Sequence, residues 1–321
     1  MYTIGLDLGG TFIKGGLVDD GGKVVAKSKI PTRIQAGPEA VAADMAAQAL
    51  ALIAEAGVKK EDVRGIGIGS PGAIDSENGI VNYANNLTGW YDVPLAAYIN
   101  AKTGLGVKVS NDANVAALGE TMFGAGKGYE NAVMITLGTG VGGGVICNGR
   151  LYEGNESKGA ELGHMVVKAG GARCNCGRRG CLEAYASATA LIRETKKAMK
   201  KHPDSAMWKF SPDIDEVDGR TSFECAKAGD AAAAKVVDDY LYYLAEGLLN
   251  YCNIFRPQVI ILGGGVCAQG DYLIGRLDDI MSRAHYGYRG APAVKLVIAT
   301  LGNDAGLIGA ASLIMGSAGA L

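Results

Sequence analysis

His164, Cys174, Cys176 and Cys181 bring one imidazole and three thiols into a short stretch of chain. A Cys₃His set suits tetrahedral Zn²⁺, whose closed structural sites take four nitrogen or sulfur ligands. Gly177 and Gly180 allow the sharp turns that would converge three sulfurs. The competing readings are a labile disulfide or three free thiols, but an intracellular chain gains nothing from exposed reactive thiols. Glu161 and Glu183 flank this loop, outside the ligand set. Carboxylates so placed could accept hydrogen bonds from sugar hydroxyls, while the plainer reading is solvated surface.

Two other segments carry chemistry through glycine. Asp7-Leu-Gly-Gly-Thr-Phe-Ile-Lys14 and Thr136-Leu-Gly-Thr-Gly-Val-Gly-Gly-Gly144 each follow a short apolar run and lead into another. Glycines at a strand-to-strand turn let backbone N–H groups approach a phosphate with no Cβ in the way. Two such turns point to a duplicated nucleotide-binding unit that clamps a polyphosphate from opposite sides. Gly138 to Gly143 also satisfies G-x-G-x-x-G, but a Rossmann turn opens a helix. These glycines run instead into a strand and an Asn148-Gly149 hairpin. No G-x-x-x-x-G-K-[ST] is present, so a P-loop is excluded. Asp7 is then a candidate Mg²⁺ ligand, directly or through water, because a hard cation prefers carboxylate oxygen. Thr11 and Thr139 would offer hydroxyls to phosphate. Two ordinary β-hairpins would not need so many glycines.

Asn111-Asp112-Ala113-Asn114 ends an apolar strand pattern. A carboxylate there can take a hydroxyl proton while the alcohol oxygen attacks phosphorus. Asn-Asp is equally good as a helix N-cap, and the tetrapeptide alone leaves both readings open.

The elements that must position these groups alternate strand and helix. Strands are expected at Tyr2 to Leu8, Ile13 to Val18 and Lys23 to Ile30, then a helix from Pro38 to Ala56 with Gly57 beyond it. Val63 to Ile68 and Val107 to Val109 follow as strands, and Asn114 to Met122 as a helix. The pattern then restarts with strands at 132–137, 143–147 and 150–152. A helix is expected from Leu182 to Met199, and Lys200 to Gly219 reads as a surface excursion. A long helix covers 231–253, with Val237, Leu241, Leu244, Leu248 and Cys252 on one face. A buried strand at Val259 to Leu262, a strand at 295–299 and a helix from Ala305 to Ile314 complete the chain. This is an α/β pattern with mixed sheets.

Length and composition set the outer bounds. A chain of 321 residues suggests two domains. Its 49 glycines are about twice the usual share, clustered beside apolar runs as turns and ligand loops. The formal net charge of −2 leaves no electrostatic footprint for nucleic acid or a membrane surface. There is no long apolar span and no leader pattern, so a cytoplasmic protein is expected. Cys147, Cys225, Cys252 and Cys267 stand in apolar settings and read as small core residues.

Together these motifs resemble the ROK family of bacterial sugar kinases, and are most similar to its glucokinases. The resemblance spans essentially the whole chain. It includes Ser70-Pro-Gly-Ala73, Ala84-Asn-Asn-Leu87 with Trp90, Leu262 to Val266 and Leu301 to Gly306, besides the motifs above. The Cys-x-Cys-Gly-x-x-Gly-Cys-x-Glu pattern is its most specific part. The resemblance implies a two-domain actin-like ATPase (ribonuclease H-like) fold with a duplicated βββα-type unit and an active-site cleft between domains. The small domain would hold 1–112 plus about 302–321, and the large one 113–301 with the zinc loop and a dimerisation surface.

The same resemblance implies that Asp112 is the catalytic base and that Asn111, Glu161, His164 and Glu183 hold the sugar, with Gly72 and Asn86 lining the pocket. Asp7, Gly9, Gly10, Thr11, Lys14, Gly138, Thr139, Gly140, Gly264 and Gly265 would face ATP and its Mg²⁺. The implied reaction moves the γ-phosphoryl group of ATP to the 6-hydroxyl of glucose. Alternatives are another hexose or an N-acetylhexosamine (fructose, allose, mannose, N-acetylmannosamine), or a non-catalytic sugar sensor. Family repressors carry a helix-turn-helix ahead of the first phosphate motif, and none is expected here. A homodimer or dimer of dimers is expected. Metal loss is expected to loosen the sugar-binding wall and to leave the distant phosphate turns formed.

Overall fold

The structure, a computed structural model, describes residues 1–84, 86–284 and 293–316. The chain divides into two compact units. The first comprises Met1–Met134, Gly144–Ala160 and the chain from Ala299 onward; the second comprises Ile135–Gly143 and Glu161–Ile298.

In chain order the first elements are β1 (Tyr2–Leu8), β2 (Phe12–Asp19), β3 (Val24–Pro31), α1 (Pro38–Glu55) and β4 (Val63–Ser70). A small three-stranded sheet of β5 (Ala73–Asp75), β6 (Ile80–Tyr83) and β7 (Tyr91–Val93) follows, then α2 (Leu95–Thr103), β8 (Val107–Asn111) and α3 (Asp112–Phe123). The main sheet has the order β3-β2-β1-β4-β8. Its hairpin strands pair antiparallel, while β1–β4 and β4–β8 pair parallel. Local chemistry explains α1: Pro38 opens it, Gly37 precedes it at φ 85°, and Val41, Met45, Ala49 and Leu52 form its buried stripe. That stripe joins Ile4, Leu6, Ile66, Ile68 and Trp90 in one core, where each large side chain contributes about 1.5–3 kcal/mol by burial.

The second half begins with β9 (Ala132–Leu137), β10 (Val141–Cys147) and β11 (Arg150–Tyr152). It continues through α4 (Glu183–Ala186), α5 (Ala188–Lys201), α6 (Met207–Phe210), α7 (Thr221–Lys227) and α8 (Ala231–Phe255). Then come β12 (Val259–Gly263), α9 (Asp271–Ser282), β13 (Lys295–Ile298) and α10 (Ala305–Met315). Its sheet, β11-β10-β9-β12-β13, repeats the strand order of the first. That repetition is the duplication foreshadowed by the two glycine turns. Among the described residues no helix is long and apolar enough to cross a membrane.

Helix α3 belongs to the first unit, where it packs along α10 and Gly144 lies against its Ala117. Two expectations need correction. The helix expected from Leu182 to Met199 is two helices, since Ser187 adopts extended backbone and accepts the Ala190 N–H as N-cap of α5. The stretch 200–219 is not wholly a surface excursion. Met207 and Val217 are buried in a small satellite core with Met199, and Trp208 Nε1 donates to Met199 O. Of the four cysteines read as core, Cys225, Cys252 and Cys267 are buried and Cys147 is only half-buried.

Candidate active site

In the first unit, strand register decides which residues meet. Asp7 of β1 pairs with Gly69 of β4, and Gly69 with Ser110 of β8, so Asp7 and Asn111-Asp112 emerge at the same end of the sheet, with β4 between them. Two inter-strand steps of about 4.8 Å separate β1 from β8. Lys14 Nζ donates to Asp7 Oδ2 at 3.2 Å, and the Asp7 side chain remains 20 % exposed. Gly9 N–H closes the turn onto Phe12 O at 3.0 Å, which leaves Gly10 and Thr11 exposed.

The cap falls to the first residue of the Asn-Asp pair. Asn111 is the N-cap of α3: its Oδ1 accepts the Ala113 N–H at 2.9 Å, and its Nδ2 donates to Gly72 O at 3.1 Å. Asp112 is the first helical residue, exposed, with Oδ1 accepting the same Ala113 N–H at 2.8 Å. A helix N-terminus favours an anionic side chain there. Gly72 sits at φ 99°, and a Cβ on it would come 2.0 Å from Tyr83 O, so only glycine fits beside Asn111. Asn86 is exposed, and its backbone oxygen lies close to Gly10. The structure thus gathers Gly10, Gly72, Asn86, Asn111 and Asp112 at one corner of the first unit.

One contributor went unassigned in the sequence. The first turn of α10 approaches Asp7 so closely that a Cβ on Gly306 would come 2.8 Å from the carboxylate carbon. A helix N-terminus therefore faces this carboxylate with no side chain in between. The only local signal was a glycine opening an otherwise apolar helix.

In the second unit the turn Gly138-Thr139-Gly140 is seated on the N-terminus of α5. Ala188 N–H donates to Gly138 O and Thr189 Oγ1 to Thr139 O, both at 2.8 Å. Gly264 packs on the same turn's approach, where a Cβ would come 2.4 Å from Leu137 O; Gly265 faces open space. Backbone donors and a helix N-terminus make such a turn a ready anion site.

The metal loop follows. One ring nitrogen of His164 and the sulfurs of Cys174, Cys176 and Cys181 all lie within 4.8 Å of one another. Cys174 Sγ is 3.6 Å from His164 Nδ1, and Cys176 Sγ is 3.6 Å from Cys181 Sγ. A tetrahedron with Zn–S bonds of about 2.3 Å has edges of about 3.7 Å; the two 3.6 Å separations match it and the 4.8 Å span exceeds it by about 1 Å, so the donor set suits Zn²⁺ with a small contraction. Burial pushes the Cys174 thiol up to about 12 and raises Cys181, whereas the Arg178 N–H holds Cys176 below the usual thiol range. Gly180, at φ 86°, permits the tight return of the loop, since a Cβ would come 1.8 Å from Lys168 O.

Glu183 joins these two features. Its Oε2 accepts the Val141 N–H at 3.1 Å, its Oε1 accepts from Cys174 Sγ at 3.6 Å, and a Cβ on Gly140 would come 2.4 Å from Oε2. The second glycine turn is therefore not distant from the metal loop, as the sequence reading held. Glu161 lies exposed at the start of the Leu162–His164 turn, on the other flank.

The chain matches the ROK family over residues 3–317. It is 40% identical over 315 residues to a glucokinase of Thermotoga maritima, covering 98% of this chain and 97% of that one. A ROK family glucokinase from Streptomyces griseus, solved in complex with glucose and AMPPNP, aligns at TM-score 0.78 and 36% identity, covering 98% of this chain and 99% of that one. A ROK hexokinase from Thermus thermophilus aligns at TM-score 0.83 and 37% identity, with 97% of each chain covered.

Proposed function

The chain belongs to the ROK family and has its two-domain, actin-like ATPase fold of the α/β class, and on that premise we propose that it is a glucokinase. It transfers the γ-phosphoryl group of ATP to the 6-hydroxyl of glucose, giving glucose 6-phosphate and ADP. The observation that carries the reading is the register that brings Asp7 and Asn111-Asp112 to one end of the first sheet. Phosphoryl transfer needs a carboxylate for the nucleotide's metal and a base for the attacking hydroxyl, set a short distance apart.

In this mechanism Asp112 accepts the 6-hydroxyl proton as the sugar oxygen bonds to the γ-phosphorus and the bond to the ADP oxygen breaks. Asn111, Gly72, Asn86, Glu161, His164 and Glu183 orient the sugar. Asp7 and Lys14 serve the nucleotide's Mg²⁺ and phosphates, with Gly9, Gly10, Thr11, Gly138, Thr139, Gly140, Gly264 and Gly265 supplying the turns. Mg²⁺, when bound, neutralises charge on the phosphates. His164, Cys174, Cys176 and Cys181 would hold Zn²⁺, which would serve a structural role and brace the loop that carries Glu161 and Glu183.

A coupled ADP-release assay over glucose, mannose, fructose, allose, N-acetylglucosamine and N-acetylmannosamine tests the reading. Glucose is expected to give the highest kcat/KM. Turnover with another sugar alone moves the assignment within the family, and no turnover with any of them removes it. A second expectation concerns Gly306→Ala. The added methyl crowds the Asp7 carboxylate, so KM for ATP with Mg²⁺ should rise on the order of tenfold while glucose affinity holds. Unchanged ATP kinetics would separate Asp7 from the nucleotide.

A further inference from the structure

Glu120, near the end of α3, is 0 % exposed. Its carboxylate meets neutral donors. Oε1 accepts the Leu301 N–H at 2.7 Å, and Oε2 accepts the Ala125 N–H at 2.9 Å, the Thr300 N–H at 3.1 Å and Thr300 Oγ1 at 3.4 Å. An interior carboxylate that relies on such donors in place of an ion pair is costly to keep. What it gains is a grip on residues 300–301, across 180 positions of sequence.

That grip answers a mechanical need. Helices α3 and α10 meet through glycine: a Cβ on Gly309 would come 1.7 Å from Val115 O, and one on Gly119 would come 2.8 Å from Gly309 N. Backbones this close leave little side-chain interlocking at the crossing point to set how far one helix sits along the other. Residues 300–301 lie just ahead of α10, so the carboxylate ties the start of that helix to the end of α3. One end of the pair carries Asp112, the first residue of α3, and the other carries Gly306, which touches Asp7.

We propose, on the kinase reading above, that Glu120 is a positioning residue for phosphoryl transfer: by tying the start of α10 to the end of α3, it sets how the N-terminus of α10 at Gly306 meets the Asp7 carboxylate. A slip of one helical residue moves the helix by about 1.5 Å, and a misplacement of about 1 Å can lower a rate about 10²-fold.

Three variants test this. Glu120→Gln turns an amide NH₂ toward N–H donors. Gly124→Ala keeps the carboxylate but displaces it, since the new Cβ would lie 2.0 Å from Oε2. Thr300→Val removes only the longest contact. Each is compared with wild type for ADP release at saturating glucose and ATP, with glucose and AMPPNP affinities by calorimetry and Tm alongside. In the first two kcat should fall about 10–100-fold with both affinities within threefold. In Thr300→Val it should fall about fivefold. Folded variants with kcat within twofold of wild type overturn the proposal, as does a loss carried by KM or by Tm alone. If Glu120→Gln does not fold, the other two variants decide on the same terms. A wild-type protein without glucose-dependent ADP release overturns the kinase reading instead.

Discussion

Asp112→Asn is expected to lower kcat for glucose phosphorylation by about 10²–10⁴-fold while glucose affinity stays within a few-fold. The amide keeps an oxygen for the Ala113 N–H that Asp112 now engages at 2.8 Å, so the start of α3 should hold its shape. It cannot take the hydroxyl proton. Asn111 remains as N-cap, so the exchange removes a base and leaves the cap in place. Stopped-flow or coupled kinetics beside calorimetric glucose binding separate the two effects. Near-normal kcat in the variant would assign the proton to another group.

Cys176→Ala, or complete chelation of the wild type, is expected to remove the metal and weaken glucose binding about 10–100-fold, the range for disturbing groups that orient a site. Cys176 is the exposed ligand of the four, so its loss opens the loop without emptying a core position. Glu161 lies three residues from His164 and Glu183 two from Cys181, so on the proposed reading a metal in this cluster would brace both carboxylates. The bond from Glu183 to Val141 N–H carries the effect further, so AMPPNP affinity should also fall, though less. Elemental analysis together with calorimetry for both ligands checks this. Full zinc content in Cys176→Ala, or unchanged glucose affinity after complete metal removal, would show the site to be misassigned.

What the sequence disclosed was local or periodic. Pro38 and the stripe along α1, the Asn148-Gly149 hairpin and the Cys₃His spacing each carry their cause within a few residues. The duplication was readable because each half opens on a similar glycine turn, while the strand order they share is seen only in the structure. What stayed hidden depends on long-range contact. Ser187 reads as an ordinary helical serine until the turn at Gly138 docks on the helix behind it. Met207 lies in a polar, proline-flanked stretch whose burial is set by Met199 and Val217. Nothing near Glu120 in the sequence marks it as buried, because three of its four hydrogen bonds come from Thr300 and Leu301, 180 and 181 residues away. Helix α3 falls in the first unit, where it packs along α10 from the far end of the chain.

The most direct test is the position of the phosphate on the product. Purified protein incubated with ATP, Mg²⁺ and glucose should yield a single sugar phosphate that ³¹P and ¹³C NMR assign to the 6-oxygen, with one ADP per product, and no product from 6-deoxyglucose. Phosphate on any other oxygen, or product from 6-deoxyglucose, would contradict the account, and so would the absence of any phosphorylated sugar.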